Sequence, residues 1–243
     1  MSAEELLPDV LRDNGNDHLT ASAKAVLGAV PFAGSLLAEL AGVAIPNQRI
    51  DRVSRFAAEL DRRLAGVEEE IVKKKWDEDE FLDLAEEVVR QAARATSEER
   101  IQYLALVLVK AMTDESVKDN ERRHLLRILG DINDVEVVWL AHYASVYVQG
   151  IDKFRDTHGE ILEQKTYAEF DSDRARLQWS AMRDSYKYHL LNLGLLEREL
   201  RVNRDNSPEI DHVSRDFRYN YSVSTLGLLL LEMIGFVIRS RLG

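Results

Sequence analysis

Apolar residues recur at Ile50, Val53, Phe56, Leu60, Leu64, Val67 and Ile71. Steps of three and four mark one stripe on an amphipathic helix of about seven turns. Its other face is laced with charges four apart: Asp51–Arg55, Arg55–Glu59, Glu59–Arg63, Glu69–Lys73 and Glu70–Lys74. A solvated outer face is the main reading, and a coiled-coil partner for the stripe is the alternative. Pro46 and Asn47 sit where a helix start is expected.

Upstream the pattern changes. Ala21 to Pro46 is rich in Ala and Gly and carries only Lys24 and Glu39 as charges. A span there is marginal: nine large apolar residues contribute about −4.5 kcal/mol, an acid near mid-span returns about +2.5 kcal/mol, and Gly, Pro and Ser erode the rest. Two short helices hinged at Gly28, Pro31, Phe32 and Gly34 are therefore expected, packing closely through their small residues. A membrane-active segment is the alternative. Residues 1–19 read as a flexible acidic tail broken at Asn14-Gly15.

Downstream, the acidic run Asp77–Glu80 suits a helix start, with Phe81, Leu84, Ala85, Val88, Val89 and Ala92 facing inward. Thr96-Ser97-Glu98-Glu99 reads as a capping box for a central helix bearing Ile101, Leu104, Ala105, Leu108, Val109 and Met112. A further helix is predicted from Val117 to Leu129, stopping at Gly130. A second capping box at Asn133–Glu136 starts an almost wholly apolar helix to Val148. Residues 150–173 break the pattern and read as a linker with a short element near Ile161.

The last third reads differently. Arg174 to Asn192 is predicted as a helix with Leu177, Met182, Tyr186 and Leu190 inward. Arg218 to Val223 alternates like a strand, and Ser224 can cap a closing helix to Ile238. The expected fold is mainly α: a helical bundle over 20–149, then a small winged-helix-like α+β module over 174–243, with residues 200–218 as an enlarged wing.

Composition narrows the function. The 243 residues are 45% hydrophobic and 31% charged, with four Pro and no Cys. Thiolate metal sites, disulfides and Cys nucleophiles are thereby excluded. The formal charge is −11. Residues 174–243 hold 11 Lys and Arg against 8 Asp and Glu, a net +3, which leaves −14 on the rest. Only the C-terminal third is thus a candidate for nucleic-acid contact, through Arg174, Arg176, Arg183, Lys187, Arg201, Arg204, Arg215 and Arg218. Gln178 and Arg183 are candidates for reaching base edges. Interspersed acids dilute that patch, so packing or protein contact is favoured over nucleic acid.

Enzyme chemistry finds little support. Gly28 to Ser35 lacks the lysine and spacing of a phosphate loop. Glu121-x-x-His124 has no second copy to complete a di-iron site. Glu163-Gln164-Lys165 after Asp152 and Asp156 suggests a metal-dependent nuclease but lacks the strands. His142 is expected as a satisfied core residue. No catalytic residue, metal or cofactor is expected. The N-terminus lacks a basic n-region, so export is not expected.

The Val30-Pro31-Phe32-Ala33-Gly34 turn, the helical middle, and the Leu193-Gly194-Leu195-Leu196 and Tyr221–Gly227 stretches resemble the bacterial abortive-infection alpha-type proteins. The resemblance implies a cytoplasmic bacterial protein linked to phage defence. It carries over no catalytic residues. A non-enzymatic protein acting through helix-mediated assembly and membrane contact is the first expectation, with a protein partner or self-association. A nucleic-acid-binding winged-helix regulator is the alternative.

Overall fold

A computed structural model describes residues 49–114, 116–162, 173–211 and 215–239. The hinge residues Gly28, Pro31, Phe32 and Gly34, with Lys24 and Glu39, lie outside the described residues, as does Glu163-Gln164-Lys165. Among the described residues the protein is mainly helical with one small two-stranded antiparallel sheet. It divides into two compact units between Arg127 and Ile128.

The first unit contains α1 (Ile50–Leu64), α2 (Glu69–Trp76), α3 (Asp79–Ala92) and α4 (Glu98–Thr113). Helix α5 (Asp119–Asp131) carries the division near its C-terminal end. The stripe Val53, Phe56, Ala57, Leu60 and Leu64 is buried, and α1 packs on α4 and α3. The stripe is thus consumed inside the unit, which leaves no seam for a coiled-coil partner. The single long helix through Ile71 is not observed. The chain turns at Ala65–Gly66, and Glu68 is extended (ψ 131°) before α2 starts. The restart changes the helical phase, so Val72 and Trp76 are buried while Ile71 is exposed.

The cap of α4 differs from the expected box. Ser97, not Thr96, is the N-cap, and its Oγ accepts from the Arg100 N–H at 3.0 Å. The third helical position is then Arg100, so no glutamate can return the bond. Helix α4 is the apolar centre of its unit, with Ile101, Leu104, Ala105, Val107 and Leu108 buried.

The second unit contains α6 (Asp134–Tyr143), α7 (Ile151–Thr157), α8 (Gly159–Leu162), α9 (Asp173–Asn192), β1 (Leu196–Leu200), β2 (Tyr219–Val223) and α10 (Thr225–Met233). Helix α6 is its hub: α7, α8, α9, β2 and α10 all pack on it. Its predicted capping box is present in full. The Glu136 N–H donates to Asn133 Oδ1 at 3.0 Å, and the Asn133 N–H donates to Glu136 Oε2 at 2.8 Å. The helix stops at Tyr143, five residues short of Val148, and Val146 is exposed.

Two inward assignments on α9 fail. Leu177 is 70% and Met182 51% exposed, whereas Leu190 is fully buried. Gly194 (φ 72°) ends the run into β1. The strands pair from Leu196↔Val223 to Leu200↔Tyr219. Ser224 caps α10 as expected, accepting from the Gly227 N–H at 2.9 Å.

Candidate functional site

The strands β1 and β2 do not end in a simple loop. Past Leu200 the backbone forms a closed ring of three hydrogen bonds. The Arg201 N–H donates to the Arg218 carbonyl, Arg218 to Glu209, and Glu209 back to Arg201, at 2.8–2.9 Å. Three segments meet there, and two short branches leave the junction. One pairs Val202 with Pro208 and turns at Asn206 (φ 65°); the other pairs Ile210 with Phe217.

Side chains alternate along extended segments, and residues directly opposite share a face. One face of this ribbon therefore carries Arg201, Glu209, Asp211 and Arg218. These pair with each other: Arg201 Nε with Glu209 Oε2 at 3.3 Å, and Arg218 Nη2 with Asp211 Oδ2 at 3.0 Å. The other face carries Leu200, Val202, Pro208, Ile210, Phe217 and Tyr219. Near the base it is covered, since Leu196 and Val223 are buried, Lys187 lies 4.9 Å over the Tyr221 ring and Arg198 lies 4.9 Å over Tyr219. Further out it is open: Leu200, Val202, Ile210 and Phe217 are 38, 47, 50 and 52% exposed.

The residues proposed for nucleic-acid contact fall on this module without forming one patch. Arg174 is exposed on α9, whose backbone includes Arg176. Arg183 stacks over Trp179 at 4.9 Å, with Asp184 at 3.8 Å. Lys187 pairs with Asp184 at 2.8 Å. Burial works against the Lys187 charge, but the Asp184 bond and the tyrosine rings outweigh it and hold the amine above its ordinary value. Arg204 and Arg215 stand exposed at the two turns, without a carboxylate partner among the described residues.

Beside α9 lies a groove of about 750 Å³ lined by Trp139, Trp179, Met182, Tyr186, Gln178 and Arg183, among others. Its walls suit a flat apolar group. Nearby, burial pushes the Tyr143 hydroxyl up, against the pull of Lys187 and Arg183. His142 stacks edge-on against Trp139 at 5.5 Å, and its buried Nδ1 has no hydrogen-bond partner among the described residues. It is not the satisfied core residue expected. Burial first, and Arg155 second, hold its imidazole below the usual histidine range.

In the first unit, Arg122 is 2% exposed and donates through Nη2 to the Asp114 carbonyl. Asp119 lies 3.8 Å from its Nε and 2.9 Å from Lys75. Glu121 and His124 are both exposed, and Glu121 accepts from the Lys118 N–H at 3.2 Å. Among the described residues there is no group of His, Asp and Glu that could hold a metal, and no helix long and apolar enough to cross a membrane.

The apolar ribbon face escaped the sequence reading because residues 199–218 are mostly polar. The available signal was the step of two in Leu200-x-Val202, Pro208-x-Ile210 and Phe217-x-Tyr219. Comparison with protein-family models, curated proteins and solved structures finds no match for this chain.

Proposed function

We propose that this chain is a non-enzymatic binding protein whose C-terminal module, winged-helix-like in its order of helix, strand, loop, strand and helix, meets a protein partner through its ribbon. The carrying observation is the asymmetry of the ribbon: Leu200, Val202, Ile210 and Phe217 stand exposed on one face, while on the other Arg201 pairs with Glu209 and Arg218 with Asp211. A half-exposed aromatic leaves roughly 100 Å² uncovered. With the smaller exposed areas of Leu200, Val202 and Ile210 added, the patch reaches roughly 300–350 Å², the size at which exposed apolar patches are often functional. The resemblance to abortive-infection proteins supplies the setting, phage defence in a bacterial cytoplasm. Membrane contact by the Ala/Gly-rich segment belongs to the same proposal.

Nucleic-acid binding is the second reading, supported by Arg204 and Arg215, which have no carboxylate partner among the described residues. Arg201, Arg218 and Lys187 would have to leave carboxylates to join them. Binding that weakens with salt, and further with Arg204→Ala and Arg215→Ala, would favour it.

A photo-crosslinking residue placed at Ile210, Phe217 or Glu209 in expressing cells tests the first reading. Adducts are expected from positions 210 and 217 and not from 209. Equal yields at all three, or none at 210 and 217, would overturn it. In the defence setting, Phe217→Asp is expected to abolish the reduction in phage plaques.

A further inference from the structure

Building on the reading of the ribbon as a protein-contact surface, we infer that its partner is a second copy of this chain, packed ribbon face to ribbon face about a two-fold axis. Four observations carry this. An isologous contact needs a patch complementary to itself, and an apolar β face meets that need, since two such faces stack with interdigitating side chains. The pairs Arg201–Glu209 and Arg218–Asp211 are closed within each copy on the opposite face, and the charge on the contact side, Arg198, is spent at the base over the Tyr219 ring. Its turns carry both signs, Arg204 beside Asp205 and Arg215 beside Asp216, so the rims of two copies can pair opposite charges. Finally, a two-stranded ribbon is marginal in water unless its apolar face is covered. Helix α9 and Arg198 cover only the base of this one, and a second ribbon completes the cover.

Area sets the strength. Two open faces together bury roughly 600–700 Å², below the range of standard specific interfaces. The dimer is therefore weak. Its salt dependence is inverted relative to an ionic contact. Two chains of charge −11 repel each other, and salt screens that repulsion while leaving apolar contact intact.

Sedimentation velocity on the purified full chain, across roughly 5–200 µM, tests this. The expected result is a mass moving from one chain toward two, more readily at high salt. Phe217→Asp and Ile210→Asp should each weaken association at least about tenfold, with an unchanged helical circular dichroism spectrum. Because the chain has no cysteine, Phe217→Cys should give a disulfide-linked dimer under mild oxidation, and Glu209→Cys should not. A single-chain mass at every concentration, association indifferent to Phe217→Asp, or equal linking at 217 and 209 would each overturn the inference. If the purified chain stays monomeric while position 217 still crosslinks a different protein in cells, the second copy is ruled out and the binding reading stands. If neither is seen, both fall.

Discussion

His189 on α9 lies with its Nδ1 2.6 Å from Oε1 of the buried Glu136 on α6. A carboxylate only accepts, so the contact requires a proton on Nδ1. The same carboxylate accepts the Asn133 N–H through Oε2. One side chain thus closes the start of α6 and ties α9 to it, within the unit that carries the ribbon.

Removing that carboxylate leaves the Asn133 N–H and the His189 ring without their partner. Glu136→Ala is expected to destabilise the protein by about 2–3 kcal/mol, and Glu136→Gln, which keeps the cap acceptor, by less. Urea unfolding followed by circular dichroism gives the difference. Equal losses for the two variants would mean that the cap bond contributes nothing.

Gly227 is held by packing. A Cβ there would fall on the Leu195 carbonyl oxygen and come within 2.8 Å of Val223 Cγ2. Alanine favours a helix over glycine by up to about 1 kcal/mol, yet Gly227→Ala is expected to lower stability by about 1–3 kcal/mol through overpacking. A raised melting temperature would show that α10 can shift away from β1 at no cost.

Arg122 anchors the turn between α4 and α5 through the Asp114 carbonyl, and burial holds its guanidinium below the ordinary arginine value against the pull of Asp114 and Asp119. Arg122→Ala leaves both a void and an unpaired acceptor, with an expected loss of about 3–5 kcal/mol. Arg122→Met refills the volume and should recover a good part of that, since Asp119 keeps Lys75. Denaturant midpoints of the two variants decide it; a methionine variant as unstable as the alanine would make the charge, not the volume, the main contribution.

The depressed imidazole of His142 gives stability a pH dependence of known sign. Its folded pKa lies below the unfolded value near 6.5, so between the two the unfolded chain binds more protons. Stability from this residue is intact above about pH 6.5 and falls as pH drops toward the folded pKa. Comparing unfolding at about pH 7.5 and pH 5.5, His142→Gln should lose less on acidification than the parent protein. An identical acid loss would assign the effect to other groups.

Local rules made much of the helical fold legible in the sequence. The stripe from Val53 to Leu64, the Asn133–Glu136 box and the Ser224 cap depend on neighbours three or four residues away, and each is observed. Two local expectations failed: Ser97 rather than Thr96 is the cap of α4, and the helix read as continuous through Ile71 breaks at Gly66.

What the sequence determined by itself is the mainly α architecture, the strand ending at Val223 and the absence of thiol chemistry, because periodicity and composition act along the chain. What only the tertiary structure decided is which apolar residues remain uncovered. Leu177 and Met182 fit an inward stripe yet face solvent, since burial depends on what lies opposite. The ribbon's two faces likewise exist only because Arg201, Glu209 and Arg218 close a ring of hydrogen bonds between residues up to 17 positions apart, a pairing that no short-range pattern specifies.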